Sequence, residues 1–360
     1  MISRTHSWAG PLRRALATLV VSFCAFSAGP QAPRGSEQAP PRQTGEKGRI
    51  RVEVNLVNVI ASVLDKNGRP APDLPRDSFE LYEEGVPQRI EVFERGTQQP
   101  LDLALMIDSS LSTHKELLFE REAAARFVRQ VMRPGDRLAV FEFSDAVAQL
   151  TEFSPDISMH QAKIRAIEEG AGTALYDAVF LGAQALARLS AGRRRVIVLV
   201  TDAGETTSRA DFDSARRAAL RAETMLYTIV IRPVKSESGR NTAGEHALET
   251  ITDTAGGALY FPDDSAQLDD IFGRINRELR TQYRLGYYPS PRPPDGTYRR
   301  IELRVKSPAD AEGQAGPGAV PVAPAGTAAP PTPDARSAAH AQGGYIVHYR
   351  KGYFTVGAVD

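Results

Sequence analysis

The sequence predicts an α/β protein in which a doubly wound, mostly parallel sheet with one antiparallel edge strand is inserted into a small antiparallel β domain formed by the flanking segments. Three observations carry this. Between residues 101 and 281, short apolar runs alternate with amphipathic stretches, the pattern of parallel strands joined by helical crossovers. On either side, at 49–96 and again at 282–306 and 344–356, apolar residues recur with period two, as half-buried strands require. Neither flank is long enough for a core of its own, so the economical arrangement folds the two together.

The amino terminus carries Arg4, Arg13 and Arg14, then an apolar run over 15–28, then small residues and prolines. This is the layout of a secretory signal peptide over 1–28, with cleavage near 27–29. The run is shorter than the roughly 20 residues that span a bilayer, so no stable membrane span is expected. The mature chain is therefore expected to be exported, to the periplasm, the cell surface or the exterior. Cys24 and Trp8 are the only residues of their kinds and leave with the signal, so no disulfide would support the fold. Phe23 is too large for a lipobox, and Leu12 and Ala15 beside Arg13-Arg14 fit twin-arginine export poorly. Residues 29–47 are Pro, Gln, Gly and charge, a disordered linker. Lys plus Arg equals Asp plus Glu at 44 each, which removes the basic footprint of a nucleic-acid partner.

In chain order, Val52, Val54 and Leu56 share one face of a strand and Val57, Val59, Ala61 and Val63 the other, a phase slip that a bulge would make. Lys66-Asn67-Gly68 turns the chain, 79–83 alternate, Glu84-Gly85 turns, and 90–93 alternate again. A strand at 103–107 leads to a helix over 116–132, stopped by Pro134-Gly135-Asp136. The strand at 138–143 is followed, after Ser144-Asp145, by a short one at 147–153. That connection is too brief for a crossover, so the pair is a hairpin. Helices at 159–168 and 175–189, a strand at 196–200, a helix at 211–222, a strand at 225–231, a helix at 244–254, a strand at 258–261 and a helix at 266–279 complete the inserted unit. Strands resume at 282–288, with Tyr283, Leu285 and Tyr287 on one face, and at 297–306, with Ile301, Leu303 and Val305 on another. An Ala-, Pro- and Gly-rich disordered insertion covers 307–343, and 345–356 closes the β domain.

The candidate site lies where strands end. Asp108-Ser109-Ser110-Leu111-Ser112 follows a buried strand and offers three oxygen-bearing side chains at alternate positions. Thr173 sits in the loop Gly172-Thr173-Ala174, and Asp202 closes the apolar strand at 196–200. In open α/β sheets, ligands gather beyond the carboxyl ends of the strands at the switch point. Oxygen ligands suit hard divalent cations, so Asp108, Ser110, Ser112, Thr173 and Asp202 are the candidate metal ligands, for Mg2+ first and equally for Mn2+ or Ca2+.

At these five positions the chain resembles the von Willebrand factor type A family, whose metal-ion-dependent adhesion site follows the pattern Asp-x-Ser-x-Ser, then Thr, then Asp. The succession of elements over 101–281 is similar to that whole Rossmann-like domain. The resemblance implies direct coordination by Ser110, Ser112 and Thr173, with Asp108 and Asp202 often acting through water. A cation so held stays electrophilic and favours an acidic residue from a protein partner. The chain departs from the family at Thr201-Asp202-Ala203-Gly204-Glu205, where Thr-Asp-Gly is usual, so the turn there is expected to differ and Glu205 to add a carboxylate. Asp177 is expected to hold its loop or helix start rather than a metal. The segments Asp77-Ser78-Phe79-Glu80-Leu81-Tyr82-Glu83-Glu84-Gly85, Tyr283-Arg284-Leu285-Gly286-Tyr287-Tyr288-Pro289 and Tyr349-Arg350-Lys351-Gly352-Tyr353-Phe354 also look like those of an exported bacterial subfamily abundant in Acidobacteria.

The function expected is a non-enzymatic, metal-dependent, adhesion-type protein-binding module. One competing reading is a metal-dependent phosphoesterase, since an electrophilic cation polarises phosphoryl oxygen. No nucleophile-and-base pair, second metal cluster or Gly-x-Ser-x-Gly elbow accompanies the site, and Asp108 lacks a second aspartate two residues on. The other is a scaffold that binds through its β domain. His114 reads as a solvated residue at a helix start, and His160, His246 and His348 lack metal spacing. Tyr283, Tyr287, Tyr288, Tyr349 and Tyr353 read as core aromatics of the β domain rather than a carbohydrate surface.

Overall fold

Alternation places Val57, Val59, Ala61 and Val63 on the inward face of the first strand, β1 (Val57–Asp65). The structure, a computed structural model, describes residues 56–110, 117–231, 241–306 and 344–355. The signal peptide, the linker, the insertion at 307–343, and Val52, Val54, Ser112 and His114 lie outside the described residues.

Three more strands precede the inserted unit: β2 (Phe79–Glu83), β3 (Val86–Gln88) and β4 (Ile90–Glu94). The unit itself supplies β5 (Leu101–Asp108), β6 (Arg137–Phe143), β7 (Val147–Gln149), β8 (Arg194–Thr201), β9 (Thr224–Val230) and β10 (Leu259–Tyr260). After it come β11 (Tyr283–Tyr287), β12 (Tyr298–Val305), β13 (Tyr345–Tyr349) and β14 (Gly352–Phe354). The flanking strands build two four-stranded antiparallel sheets, ordered β13-β1-β11-β4 and β14-β12-β2-β3. Each sheet mixes strands from before and after the inserted unit, so the expected joint β domain is present. The final segment, read as one strand, breaks at Arg350-Lys351 because the chain there crosses from one sheet to the other.

A buried carboxylate ties this domain together. Glu83, 1% exposed, accepts from the hydroxyls of Tyr287 at 2.6 Å and Tyr353 at 3.0 Å and pairs with Arg299 at 2.9 Å. Those partners sit on β11, β14 and β12, so one side chain from before the insertion holds three strands from after it. Tyr283 likewise donates to the Ala71 carbonyl at 2.6 Å. The tyrosines thus face the core as expected, apart from Tyr288, which is 46% exposed.

The inserted sheet runs β10-β9-β8-β5-β6-β7, parallel throughout except for the antiparallel edge strand β7. β7 is shorter than the sequence pattern because the Thr151 hydroxyl accepts the Val140 N–H at 2.8 Å, taking a place in the ladder. One face of the sheet is covered by α1 (Leu117–Val131), α2 (Ile157–Arg165) and α6 (Leu268–Arg280), the other by α3 (Leu175–Ala187), α4 (Phe212–Arg221) and α5 (Thr242–Ala255). β5 is buried on both faces: Leu103, Leu105 and Ile107 pack towards α1 and α6, Ala104 and Met106 towards α3. No helix among the described residues is long and apolar enough to cross a membrane.

Parallel winding points the carboxyl ends of the crossover helices α1, α3, α4, α5 and α6 to one pole, where their terminal carbonyls need donors. Arginines supply them. Arg195 donates to Ala222 O at 3.0 Å and Leu189 O at 3.1 Å, beyond α4 and α3. Arg194 reaches Leu279 O on α6 and Arg280 reaches Val131 O on α1; α2, which follows the antiparallel β7, ends at the opposite pole, where Arg121 reaches Ile167 O. Burial, then the nearby Arg280 guanidinium, pushes Arg194 down to about 10. At α5 the β domain takes over, the Lys351 N–H donating to Thr254 O at 3.0 Å. Beside it, His348 of β13 meets Glu278 of α6 at 2.8 Å, both buried.

Replacing Glu83 with alanine strands the Arg299 guanidinium and two buried hydroxyls. The expected loss is about 3–5 kcal/mol of unfolding free energy in urea, measured with Glu83→Gln as the milder comparison.

Candidate functional site

The switch point of the sheet lies between β5 and β8, whose chains continue in opposite directions across it. Two of the predicted ligands occur there, Asp108 as the last residue of β5 and Asp202 just after β8. Asp108 is fully buried. Its Oδ1 accepts the Ser110 N–H at 3.0 Å and its Oδ2 the Thr201 hydroxyl at 2.6 Å. Burial pushes this carboxyl up to about 6, against the hydrogen bonds from Thr201 and Ser110 and with a further push from Asp202.

Ser110 is held by bridging Gly170, whose N–H donates to Ser109 O at 2.8 Å. This brings the loop before α3 alongside the first motif. Thr173 on that loop is buried, and its neighbours are set by the loop after β8: its N–H donates to the Thr206 hydroxyl at 2.8 Å, and its carbonyl accepts the Thr206 N–H at 2.9 Å. A methyl group placed on Gly204 would lie 2.9 Å from Asp202 Oδ1 and 3.1 Å from the Thr173 hydroxyl. The Thr173 hydroxyl and the Asp202 carboxylate thus flank a single point. Asp108, Ser110, Thr173 and Asp202 converge on one end of the sheet; Ser112 lies outside the described residues.

At the departure from Thr-Asp-Gly, an alanine holds a conformation that favours glycine. Ala203 takes φ 66°, the left-handed region, and its N–H donates to the Thr201 hydroxyl at 3.0 Å. The conformation costs an alanine about 1–2 kcal/mol, and burying its methyl among α3, α4 and α5 returns about 0.8 kcal/mol. The close approach falls instead to Gly244 of α5, where any Cβ would collide with the Ala203 carbonyl oxygen.

The Glu205 carboxylate, expected as an extra one at the site, is turned to α3 and its own loop. Its Oε2 accepts the Tyr176 N–H at 3.1 Å and the Ser208 hydroxyl at 2.7 Å, and its Oε1 the Ser208 N–H at 2.9 Å. Ser208 in turn accepts from Tyr176 and Asp177 at 3.0 and 3.1 Å. The first turn of α3, whose N-cap Ala174 has no capping side chain, takes its acceptors from this distant loop. Asp177, expected to hold the Thr173 loop or its helix start, instead holds the loop after β8, accepting the N–H groups of Arg209 at 3.0 Å and Ala210 at 2.7 Å.

Sequence reasoning missed three participants. Thr201 joins Asp108 to the Asp202 turn through one hydroxyl. Asp145, on the β6–β7 turn, accepts Gly172 N–H at 2.9 Å and Ala171 N–H at 3.3 Å. Thr206 clasps Thr173. The only sequence signal for any of them was the adjacency of Thr201 to Asp202.

The donor set at this pole is oxygen only. Among the described residues no group of three or more His, Cys, Asp or Glu side chains gathers as a metal cage. Two carboxylates with serine and threonine hydroxyls fit a hard cation that retains water. Asp108, buried and already engaged at both oxygens, suits an indirect contact.

Residues 103–205 match the family described as von Willebrand factor type A domain. Similar solved structures include the conserved hypothetical protein BatB from Bacteroides thetaiotaomicron, 14% identical over 50% of this chain and 100% of that one, TM-score 0.40. A von Willebrand factor type A protein from Catenulispora acidiphila is 11% identical over 71% of each chain, TM-score 0.45. The vWF domain of the type V pili tip protein Mfa5 from Porphyromonas gingivalis is 13% identical over 50% of this chain and 95% of that one, TM-score 0.41. No curated protein matches.

Because burial raises Asp108 from 3.8 to about 6, its charge opposes folding of the metal-free protein above pH 6, partly between 4 and 6, and not below 3.8. Asp108→Asn is therefore expected to stabilise the protein in EDTA at pH 7.5 by about 1–3 kcal/mol. Thermal melts of both forms from pH 4 to 8 should converge at the acid end.

Proposed function

We propose that the von Willebrand factor type A domain this chain carries is an exported, metal-dependent binding module that holds an acidic residue of a protein partner. The observation that carries the reading is the meeting of Thr173 and Asp202 beside buried Asp108 and Ser110 at the switch point of the sheet. Ser110, Ser112 and Thr173 would contact Mg2+, or Mn2+ or Ca2+, directly, and Asp108 and Asp202 would act through water. When bound, the cation supplies a Lewis-acidic position that a carboxylate can fill.

The chain's own residues do the rest. Asp108 and Asp202 supply negative charge without offering a closed cage of carboxylates. Thr201 and Ser110 orient Asp108, and the loop at 203–210 orients Thr173. The reading is of a binder rather than an enzyme, because no nucleophile-and-base pair or second metal cluster accompanies the site in the sequence. Export rests on the signal-like amino terminus and places the module in the periplasm, at the cell surface or outside.

The test is capture of partners from the source organism's envelope and culture fluid. Three conditions are compared: wild type in Mg2+, wild type in EDTA, and Asp108→Ala in Mg2+. A partner retained by wild type in Mg2+ alone is the expected result. The same partners in all three conditions would move the binding surface to the β domain and end the metal-dependent reading.

A further inference from the structure

Among the described candidate ligands, Thr173 alone does not lie at or just beyond a strand end. Its loop must be fixed by something other than the sheet, and two acceptors on the β6–β7 turn do this. Asp145, an exposed residue, takes the N–H groups of Ala171 and Gly172, at 3.3 and 2.9 Å, and the Ser144 carbonyl takes the Ala174 N–H at 2.7 Å. Thr173 is thereby bracketed by bonds to neighbours on both sides, while its own N–H and carbonyl belong to Thr206. The fit at Gly172 is close: a Cβ there would lie 2.6 Å from Asp145 Oδ1 and 2.8 Å from Thr207 Cγ2.

We propose that Asp145 is a positioning residue of the cation site, holding the 171–172 backbone so that the Thr173 hydroxyl faces Asp202. This rests on the proposed function for the cation and adds a residue to it. An acceptor, rather than a charge, is what the geometry requires. A carboxylate this exposed would exert only a screened pull on a cation in salt, whereas displacing a ligand loop acts on the ligand itself. Partners that orient metal ligands from outside the coordination sphere are typically worth about tenfold or more in metal affinity. Asparagine at 145 keeps an acceptor for Gly172 and loses the charge; alanine loses both.

The experiment is isothermal titration of Mg2+ into the full chain as wild type, Asp145→Ala, Asp145→Asn, Thr173→Ala and the Asp145→Ala/Thr173→Ala pair. Amide hydrogen exchange of Ala171 and Gly172 is followed in the metal-free proteins. Asp145→Ala is expected to weaken Mg2+ about tenfold, Asp145→Asn to stay near wild type, and Asp145→Ala to add nothing once Thr173 is alanine. Exchange at Gly172 should quicken in Asp145→Ala and not in Asp145→Asn, with melting in EDTA unchanged. Equal affinity of Asp145→Ala and wild type would overturn the proposal, as would an Asp145→Asn as weak as alanine or an undiminished effect without Thr173. If wild type binds no Mg2+, the cation reading fails by itself, and the exchange data then decide whether Asp145 holds the loop.

Discussion

The direction of the strands is the constraint on which the rest depends. Parallel strands wound by helices on both faces send the strand carboxyl ends to one pole and the carboxyl ends of the crossover helices to the other. Among the described helices α2 alone runs the opposite way, because it follows the antiparallel β7. The two poles need opposite chemistry, and the chain provides it. At the helix-carboxyl pole, Arg194, Arg195 and Arg280 donate to the carbonyls that the helices leave unpaired. At the other, Asp108, Asp145, Asp177, Asp202 and Glu205 gather, each accepting backbone N–H groups of the loops.

At the acidic pole the loops are bound to one another more than to the sheet. Thr201 links the ends of β5 and β8, Gly170 joins the first motif to the Thr173 loop, Thr206 joins that loop to the segment after Asp202, and Glu205, Ser208 and Asp177 fasten that segment to α3. These bonds fix Asp108, Ser110, Thr173 and Asp202 relative to one another among the described residues. The price is the desolvation of Asp108, the strain at Ala203 and the sterically required Gly244. The β domain makes a comparable statement at the opposite pole, where Lys351 and His348 grip α5 and α6, so the insertion is anchored at helix ends as well as through its two connections.

Much of this was legible in the sequence, and the division follows from range. Strands and helices announce themselves through local periodicity: β5 and its neighbours, all six helices among the described residues, and the antiparallel β7 fell where the apolar pattern put them. Asp108, Ser110, Thr173 and Asp202 were picked out as candidates because they follow strands or precede a helix, which is also a local condition. What escaped depends on contacts between loops far apart in the chain. Glu205 looked like a spare carboxylate until α3 proved to need a cap from that loop. Asp145 looked like an ordinary turn residue until the backbone at 171–172 came to rest on it. The run Arg193-Arg194-Arg195 carried no sign that it faces helix ends, and His348 none that it meets Glu278. The break at Arg350-Lys351 was hidden because both halves alternate as strands do, and only the second sheet separates them.

The central claim is that these loops hold a divalent cation between the Asp108, Thr173 and Asp202 segments, and the most direct measurement is a crystal structure of the full chain grown with Mn2+, read from its anomalous signal. The account predicts a single strong peak beside the hydroxyls of Ser110 and Thr173, with the carboxylates of Asp108 and Asp202 around it. No peak at the end of β5, or a peak only at carboxylates elsewhere on the surface, would contradict it.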